Sequence, residues 1–191
     1  QDEMDLVCDV VNGYYRKGWD SLPEEVRERH RRFSSQIRQG EKKVKIYQLG
    51  GTFYSAMGEE DAAYLLARVI QFFTPGIPQV YYVGLLAGSS DFNALIDGEG
   101  PREVNRHNYS IEEIEQEIQR PMLQRMYEIM RFRNTCPAFN GEFSVTEGLP
   151  NGQLQMIWTN GPCWARLDAN LASRDWTITW FDPKTGREAV L

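Results

Sequence analysis

The stretch from Gly58 to Tyr109 constrains this chain more than any other, because it strings a helix, a hard stop and a strand-like run into one unit. Glu59 to Phe73 reads as a helix. Gly58-Glu59-Glu60-Asp61 sets acids at its N-terminus, facing the positive end of the macrodipole. Leu65, Leu66, Val69, Ile70 and Phe73 recur at helical spacing. Thr74-Pro75-Gly76-Ile77-Pro78 then stops the helix and launches the next segment extended. Gln79-Val80-Tyr81-Tyr82-Val83 has four apolar residues without alternation, the pattern of a parallel strand covered on both faces. A polar loop follows and ends in Asn105-Arg106-His107-Asn108-Tyr109. In α/β barrels the loop leaving a strand's C-terminal end is where chemistry is done, so 84–109 is the first place to seek function.

Charge and cysteine usage narrow the classes. A net charge of −6 and a pI near 5.1 speak against a nucleic acid or an anionic membrane as partner, since those need clustered positive charge. The Arg residues between Glu24 and Arg32 are interleaved with Glu, a solvated helix face. Cys8, Cys136 and Cys163 are odd in number and far apart, so no disulfide framework is indicated and a reducing, cytoplasmic setting is expected. No apolar run reaches the roughly 18 residues of a membrane span, and nothing resembles a signal peptide. The chain opens Gln1-Asp2-Glu3 without a preceding Met, which fits an excised or partial chain.

Around the central unit, Leu6, Val7, Val10, Val11 and Tyr14 form one helical stripe closed by Gly18. Ser21-Leu22-Pro23-Glu24 is a capping-box pattern opening a polar helix toward Ile37. Residues 39–43 read as a linker, and Val44 to Leu49 as an extended segment before the Gly50-Gly51 break. Ile111 to Asn134 reads as a long helix with Ser110 as N-cap, an apolar face of Ile114, Ile118, Met122, Tyr127, Met130 and Phe132, and a bend or division at Pro121. Its methionines are read as core rather than as a cofactor box.

From Phe139 the grammar changes to short aromatic and β-branched runs: Glu142 to Thr146, Leu154 to Thr159, Cys163 to Asp168, Trp176 to Phe181 and Glu188 to Leu191. Pro150-Asn151-Gly152, Asn160-Gly161 and Asp182-Pro183-Lys184-Thr185-Gly186 separate them, so a small antiparallel β domain is predicted. Leu154, Met156 and Trp158, and likewise Trp176, Ile178 and Trp180, alternate as core faces. The competing reading makes these tryptophans sugar-stacking platforms. Motifs for metal or nucleotide binding are missing: there is no HExxH, paired CxxC, P-loop or GxGxxG, so neither a metal site nor a cofactor is expected.

Several phrases resemble the sucrose phosphorylases, the glycoside phosphorylase branch of glycoside hydrolase family 13 in the α-amylase superfamily. They are Ala62-Ala63-Tyr64-Leu65-Leu66-Ala67-Arg68, Ile70-Gln71-Phe72-Phe73, Pro75 through Gly88 and Asn105-Arg106-His107. Tyr47-Gln48 with Thr52-Phe53-Tyr54-Ser55-Ala56, and Arg131-Phe132-Arg133-Asn134 with Ala138-Phe139-Asn140-Gly141, extend the likeness over about Tyr47 to Gly141.

The resemblance implies α/β plus all-β architecture: the last repeat of a (β/α)8 TIM barrel, then a small antiparallel β-sandwich. Residues 1–57 would be the loop region after barrel strand seven, 58–137 the last helix-strand-helix, and 138–191 the β domain. It implies sucrose and inorganic phosphate as substrates, the remainder of the barrel as partner, and a homodimer as one assembly open to the enzyme. Arg106 would reach the donor glucose, where a guanidinium fork bonds hydroxyls and carboxylates together. His107 would stand beside it and brace the loop, and Tyr47 and Gln48 would contact the fructose or phosphate in the acceptor subsite. Lys45 stands where the family commonly has Asp, and Leu49-Gly50-Gly51 replaces Val-Asn-Ser or Ile-Asn-Cys. Relatives acting on sucrose 6′-phosphate tend to have His in place of Tyr47, so an unphosphorylated acceptor is favoured over sucrose 6′-phosphate, with glucosylglycerol a further alternative. The family's nucleophilic Asp and acid/base Glu, with carboxyls about 5–5.5 Å apart, lie on barrel strands four and five, and a His-Asp pair lies on the seventh. All precede the part matched here, so no catalytic residue is assigned in this chain. The other class open to it is a non-catalytic carbohydrate-binding or interaction module.

Overall fold

The computed structural model describes residues 19–28, 51–91, 93–96 and 103–191. The stripe from Leu6 to Tyr14, the linker at 39–43, the extended segment Val44 to Leu49 and the candidates Tyr47 and Gln48 lie outside them. Within the described residues the α-helices are α1 Phe53–Ala56, α2 Asp61–Phe73, α3 Tyr82–Leu85, α4 Asn93–Ile96, α5 Ile111–Glu117 and α6 Pro121–Thr135. Residues 24–28 are also helical, and 3-10 turns span Trp19–Ser21, Glu103–Asn105 and Pro137–Asn140. The strands are β1 Glu142–Val145, β2 Gln153–Asn160, β3 Cys163–Asn170, β4 Trp176–Asp182 and β5 Arg187–Val190. The chain forms two compact units, one of residues 1–60 with 80–115 and the other of 61–79 with 116–191.

The second unit is built on one five-stranded sheet in the order β1-β2-β3-β4-β5, each strand antiparallel to the next. The described strands make a single sheet rather than two stacked ones. Gly161 and Pro162 form the two-residue loop between β2 and β3. Gly161 takes φ 57°, the left-handed angle a primed hairpin turn requires at its first position. Cross-strand partners Phe143–Trp158, Trp158–Ala165 and Ala165–Trp180 form one row of the inner face, and Met156–Leu167 and Leu167–Ile178 the next. Met156, Trp158 and Ile178 are buried, as the alternation predicts, and so is Leu167, while Leu154, Trp176 and Trp180 are half-buried.

Phe139 locks helices to this face through edge-on contacts with Phe73 (5.1 Å), Phe132 (5.6 Å) and Trp158 (5.8 Å). The Trp158 indole N–H donates to the Phe73 carbonyl at 2.7 Å, so this tryptophan is a core residue and not a sugar platform. Arg133 stacks its guanidinium on Phe139 at 4.2 Å and donates to the Gly76 carbonyl.

Three readings are corrected. Gly58 and Glu59 both take positive φ, because they close α1: the Glu59 amide bonds the Tyr54 carbonyl and its carboxylate accepts from the Ser55 hydroxyl. The next helix therefore starts at Asp61 rather than Glu59. In the long helix the division expected at Pro121 is present, with Pro121 at the first position of α6 where its missing N–H costs nothing, and it is the apolar face that is corrected. Apolar phase restarts there, so Leu123, Met126 and Ile129 are buried instead of Tyr127 and Met130, and Ile114 is exposed. Finally, Gln79 to Val83 forms no strand. Tyr81 is 55% exposed and only Val83 is buried, at 2%. No parallel partner lies among the described strands, so these residues have no ladder to join.

Candidate functional site

The first unit organises the loop carrying Arg106. Val83, Ala87 and Val104 are its buried apolar anchors. Gly88 lets Tyr109 pack close, since a Cβ there would meet the Tyr109 hydroxyl and lie 2.8 Å from Val83. The Asp91 amide donates to the Val104 carbonyl at 2.8 Å, drawing the two arms of the loop together. Asp91 Oδ1 accepts from the Asn93 amide at 3.0 Å at the start of α4.

Arg106 is half-exposed. Its Nη1 meets Glu103 Oε1 at 3.0 Å, and its amide donates to the Glu103 carbonyl. One fork of the guanidinium is thereby oriented at the surface of the loop, a geometry suited to binding vicinal hydroxyls or an oxyanion.

His107, adjacent in sequence, is held on both ring nitrogens: Nδ1 is 3.5 Å from Asp91 Oδ2 and Nε2 is 3.4 Å from Glu113 Oε1. Its ring packs edge-on against Tyr109 at 4.6 Å, and its carbonyl accepts from the Tyr82 hydroxyl at 3.0 Å. Glu113 also completes a capping box. Its Oε2 accepts from the Ser110 amide at 2.7 Å while the Ser110 hydroxyl accepts from the Glu113 amide at 3.1 Å. The Ser110 backbone N–H, then the His107 contact, holds the Glu113 carboxyl below its ordinary pKa.

Of the four residues singled out in the sequence, the structure thus locates Arg106 on an exposed turn and His107 inside a bracing network. Their partners Glu103, Asp91, Glu113 and Tyr82 were missed. Ser110-x-x-Glu113 was the one available signal, a capping-box spacing readable without coordinates. Among the described residues, no group of three His, Cys, Asp or Glu side chains is arranged to hold a metal ion, and no helix is long and apolar enough to cross a membrane.

No protein-family model matches the chain. Over most of its length the chain is nevertheless similar to curated glucosyl phosphorylases, the sucrose phosphorylases and their relatives. It is 46% identical over 141 residues to the glucosylglycerol phosphorylase of Marinobacter adhaerens, covering 74% of this chain and 29% of that protein. It is 42% identical over 164 residues to the sucrose phosphorylase of Agrobacterium vitis, covering 84% of this chain and 33% of that protein. A crystal structure of sucrose 6F-phosphate phosphorylase from Thermoanaerobacter thermosaccharolyticum superimposes with a TM-score of 0.72 at 44% identity, over 76% of this chain and 29% of that one. The chain spans about a third or less of the curated relatives it matches.

Proposed function

We propose that this chain is the C-terminal portion of a sucrose-phosphorylase-like enzyme that transfers glucose from sucrose to phosphate with retention, through a covalent glucosyl-enzyme. Its segments at 1–57, 58–137 and 138–191 supply the acceptor loop, the last barrel repeat and the terminal β domain. Arg106 binds the donor glucose; Tyr47 and Gln48 meet the fructose or phosphate; the nucleophile and acid/base come from the preceding barrel strands. The remainder of the barrel completes the site, and the buried thiols of Cys136 and Cys163 suit a reducing cytoplasm. The observation carrying this reading is the oriented, half-exposed Arg106 on a braced loop, in a chain similar to glucosyl phosphorylases.

In the full-length enzyme, Arg106→Lys keeps charge but loses the planar fork, and Arg106→Ala loses both. A charge-assisted hydrogen bond contributes roughly 1.5–3 kcal/mol, so kcat/KM for sucrose falls at least about tenfold in either variant. Because glucose is common to all acceptors, the loss appears with each of them, whereas Tyr47 and Gln48 variants reorder the acceptors. Wild-type kcat/KM in a folded Arg106→Ala enzyme would show the assignment to be wrong.

A second reading, the carbohydrate-binding module, is favoured by one feature: a cleft of about 250 Å³ on the β sheet, lined by Gln155, Asp168, Asn170, Asp175 and Thr177. Saccharide binding that survives in Arg106→Ala but is lost in Asp175→Ala would select it.

A further inference from the structure

Two neighbouring residues, Ser90 and Asp91, each reach a different part of the first unit. Ser90 faces the segment that follows the acceptor candidates Tyr47 and Gln48 in the chain. The Ser90 hydroxyl accepts from the Thr52 amide at 3.1 Å, and the Ser90 amide donates to the Ser55 hydroxyl at 2.8 Å. Thr52 and Ser55 are buried, at 5% and 3% exposure, so these two bonds satisfy groups that water does not reach. The same segment is tightened internally. The Thr52 hydroxyl accepts from the Ser55 amide at 3.1 Å, and the Ser55 hydroxyl donates to Glu59 Oε1 at 2.8 Å. Asp91 faces the other way, with its amide on the Val104 carbonyl, one carboxylate oxygen on the Asn93 amide and the other toward His107. Among the described residues, the cross-fold bonds of this dipeptide serve the 52–55 segment and the 104–107 turn.

We propose that Ser90 and Asp91 form a positioning hub for the donor turn: Asp91 fixes Arg106 through His107 and Val104, and Ser90 ties the loop that carries Asp91 to Thr52 and Ser55. The proposal rests on the donor assignment made above. It goes beyond it in naming residues that touch no substrate and yet set where Arg106 stands. Asp91→Asn keeps the shape and the cap on Asn93 but removes the charge that His107 faces. Ser90→Ala removes the acceptor for the Thr52 amide, and Ser90→Thr restores it.

Hydrogen exchange on the 191-residue chain tests the hub without any assay of catalysis. Asp91→Asn is expected to speed exchange at 104–113 by about tenfold and leave Thr52 to Ser55 unchanged; Ser90→Ala is expected to do the reverse, with Ser90→Thr at wild-type rates. Should Asp91→Asn fail to fold, Glu113→Gln and His107→Gln load the same arm from its other end. Equal loosening of the whole unit by both variants, or unchanged exchange at 104–113 in a folded Asp91→Asn chain, overturns the hub. In the full-length enzyme the arms separate kinetically. Asp91→Asn raises KM for sucrose several-fold with acceptor ranking intact, and Ser90→Ala leaves KM for sucrose at the wild-type value. Selective exchange effects without that split overturn the positioning role while leaving the effect of Arg106→Ala to judge the donor site independently.

Discussion

Trp158 places its one polar atom on the Phe73 carbonyl, in a core where Phe73 is fully buried. Trp158→Phe keeps most of the apolar area but strands that carbonyl, a loss of about 1–3 kcal/mol. The midpoint of urea unfolding should fall accordingly at unchanged slope; a wild-type midpoint would mean that the bond contributes nothing net. Cys136 gives a pH-dependent counterpart. Burial, the largest cause, and the neighbouring Cys163 push its thiol pKa above the ordinary value. A raised folded pKa means that the folded chain holds the proton more tightly than the unfolded one. The stability this represents is fully present below the ordinary thiol range near ~8.5 and is lost as pH rises through the raised value. The melting temperature should decline above that range, and Cys136→Ala should flatten the decline. A decline of the same slope in Cys136→Ala would assign it to other groups, such as Tyr64, whose pKa burial also raises. Arg106 and His107 were legible as a pair, because two adjacent polar residues in a loop can be read in place. Their partners were not, since Asp91 and Glu113 stand 16 and 6 residues from His107 and only the folded loop brings them together.

Among the elements, legibility followed the range of the interactions that form them. All five strands of the sheet lie within two residues of their expected limits at each end, because antiparallel hairpins announce themselves through alternation and turn residues close in sequence. Pro121 was legible as a break, but its effect on helical phase was not, so Met122 and Phe132 were rightly assigned to the inward face of α6 while Tyr127 and Met130 stood there in place of Leu123, Met126 and Ile129. Gln79 to Val83 failed for the opposite reason. Its apolar run is the sequence of a strand, yet a parallel strand depends on partners that no local pattern supplies. The segment instead turns into α3 at Tyr82. Amides from Gln79 to Tyr82 are therefore expected to exchange as fast as loop amides in the 191-residue chain, and to gain protection once neighbouring barrel strands are joined to it. Strong protection in the chain alone, as a monodisperse monomer, would count against a barrel strand waiting for its neighbours.

For the whole molecule, the decisive quantity is the share of an active site that the chain carries. Glucosyl transfer with retention needs two carboxyls about 5–5.5 Å apart, one as nucleophile and one as acid/base. By family resemblance both belong to barrel strands preceding the matched part, and the chain covers 29% of the glucosylglycerol phosphorylase it resembles. The pure 191-residue chain is thus expected to release no glucose 1-phosphate from sucrose and phosphate. Joined behind the catalytic segment of the Marinobacter adhaerens relative in place of the matching stretch, with which it is 46% identical over 141 residues, it should restore phosphate-dependent turnover. On the donor-site role proposed for Arg106, replacing it by Ala in that chimera should remove at least about nine-tenths of kcat/KM, the factor that one charge-assisted bond represents. Turnover by the isolated chain would place catalytic carboxylates within it. A folded, cooperative chimera without turnover would instead show that the stretch does not complete a phosphorylase site.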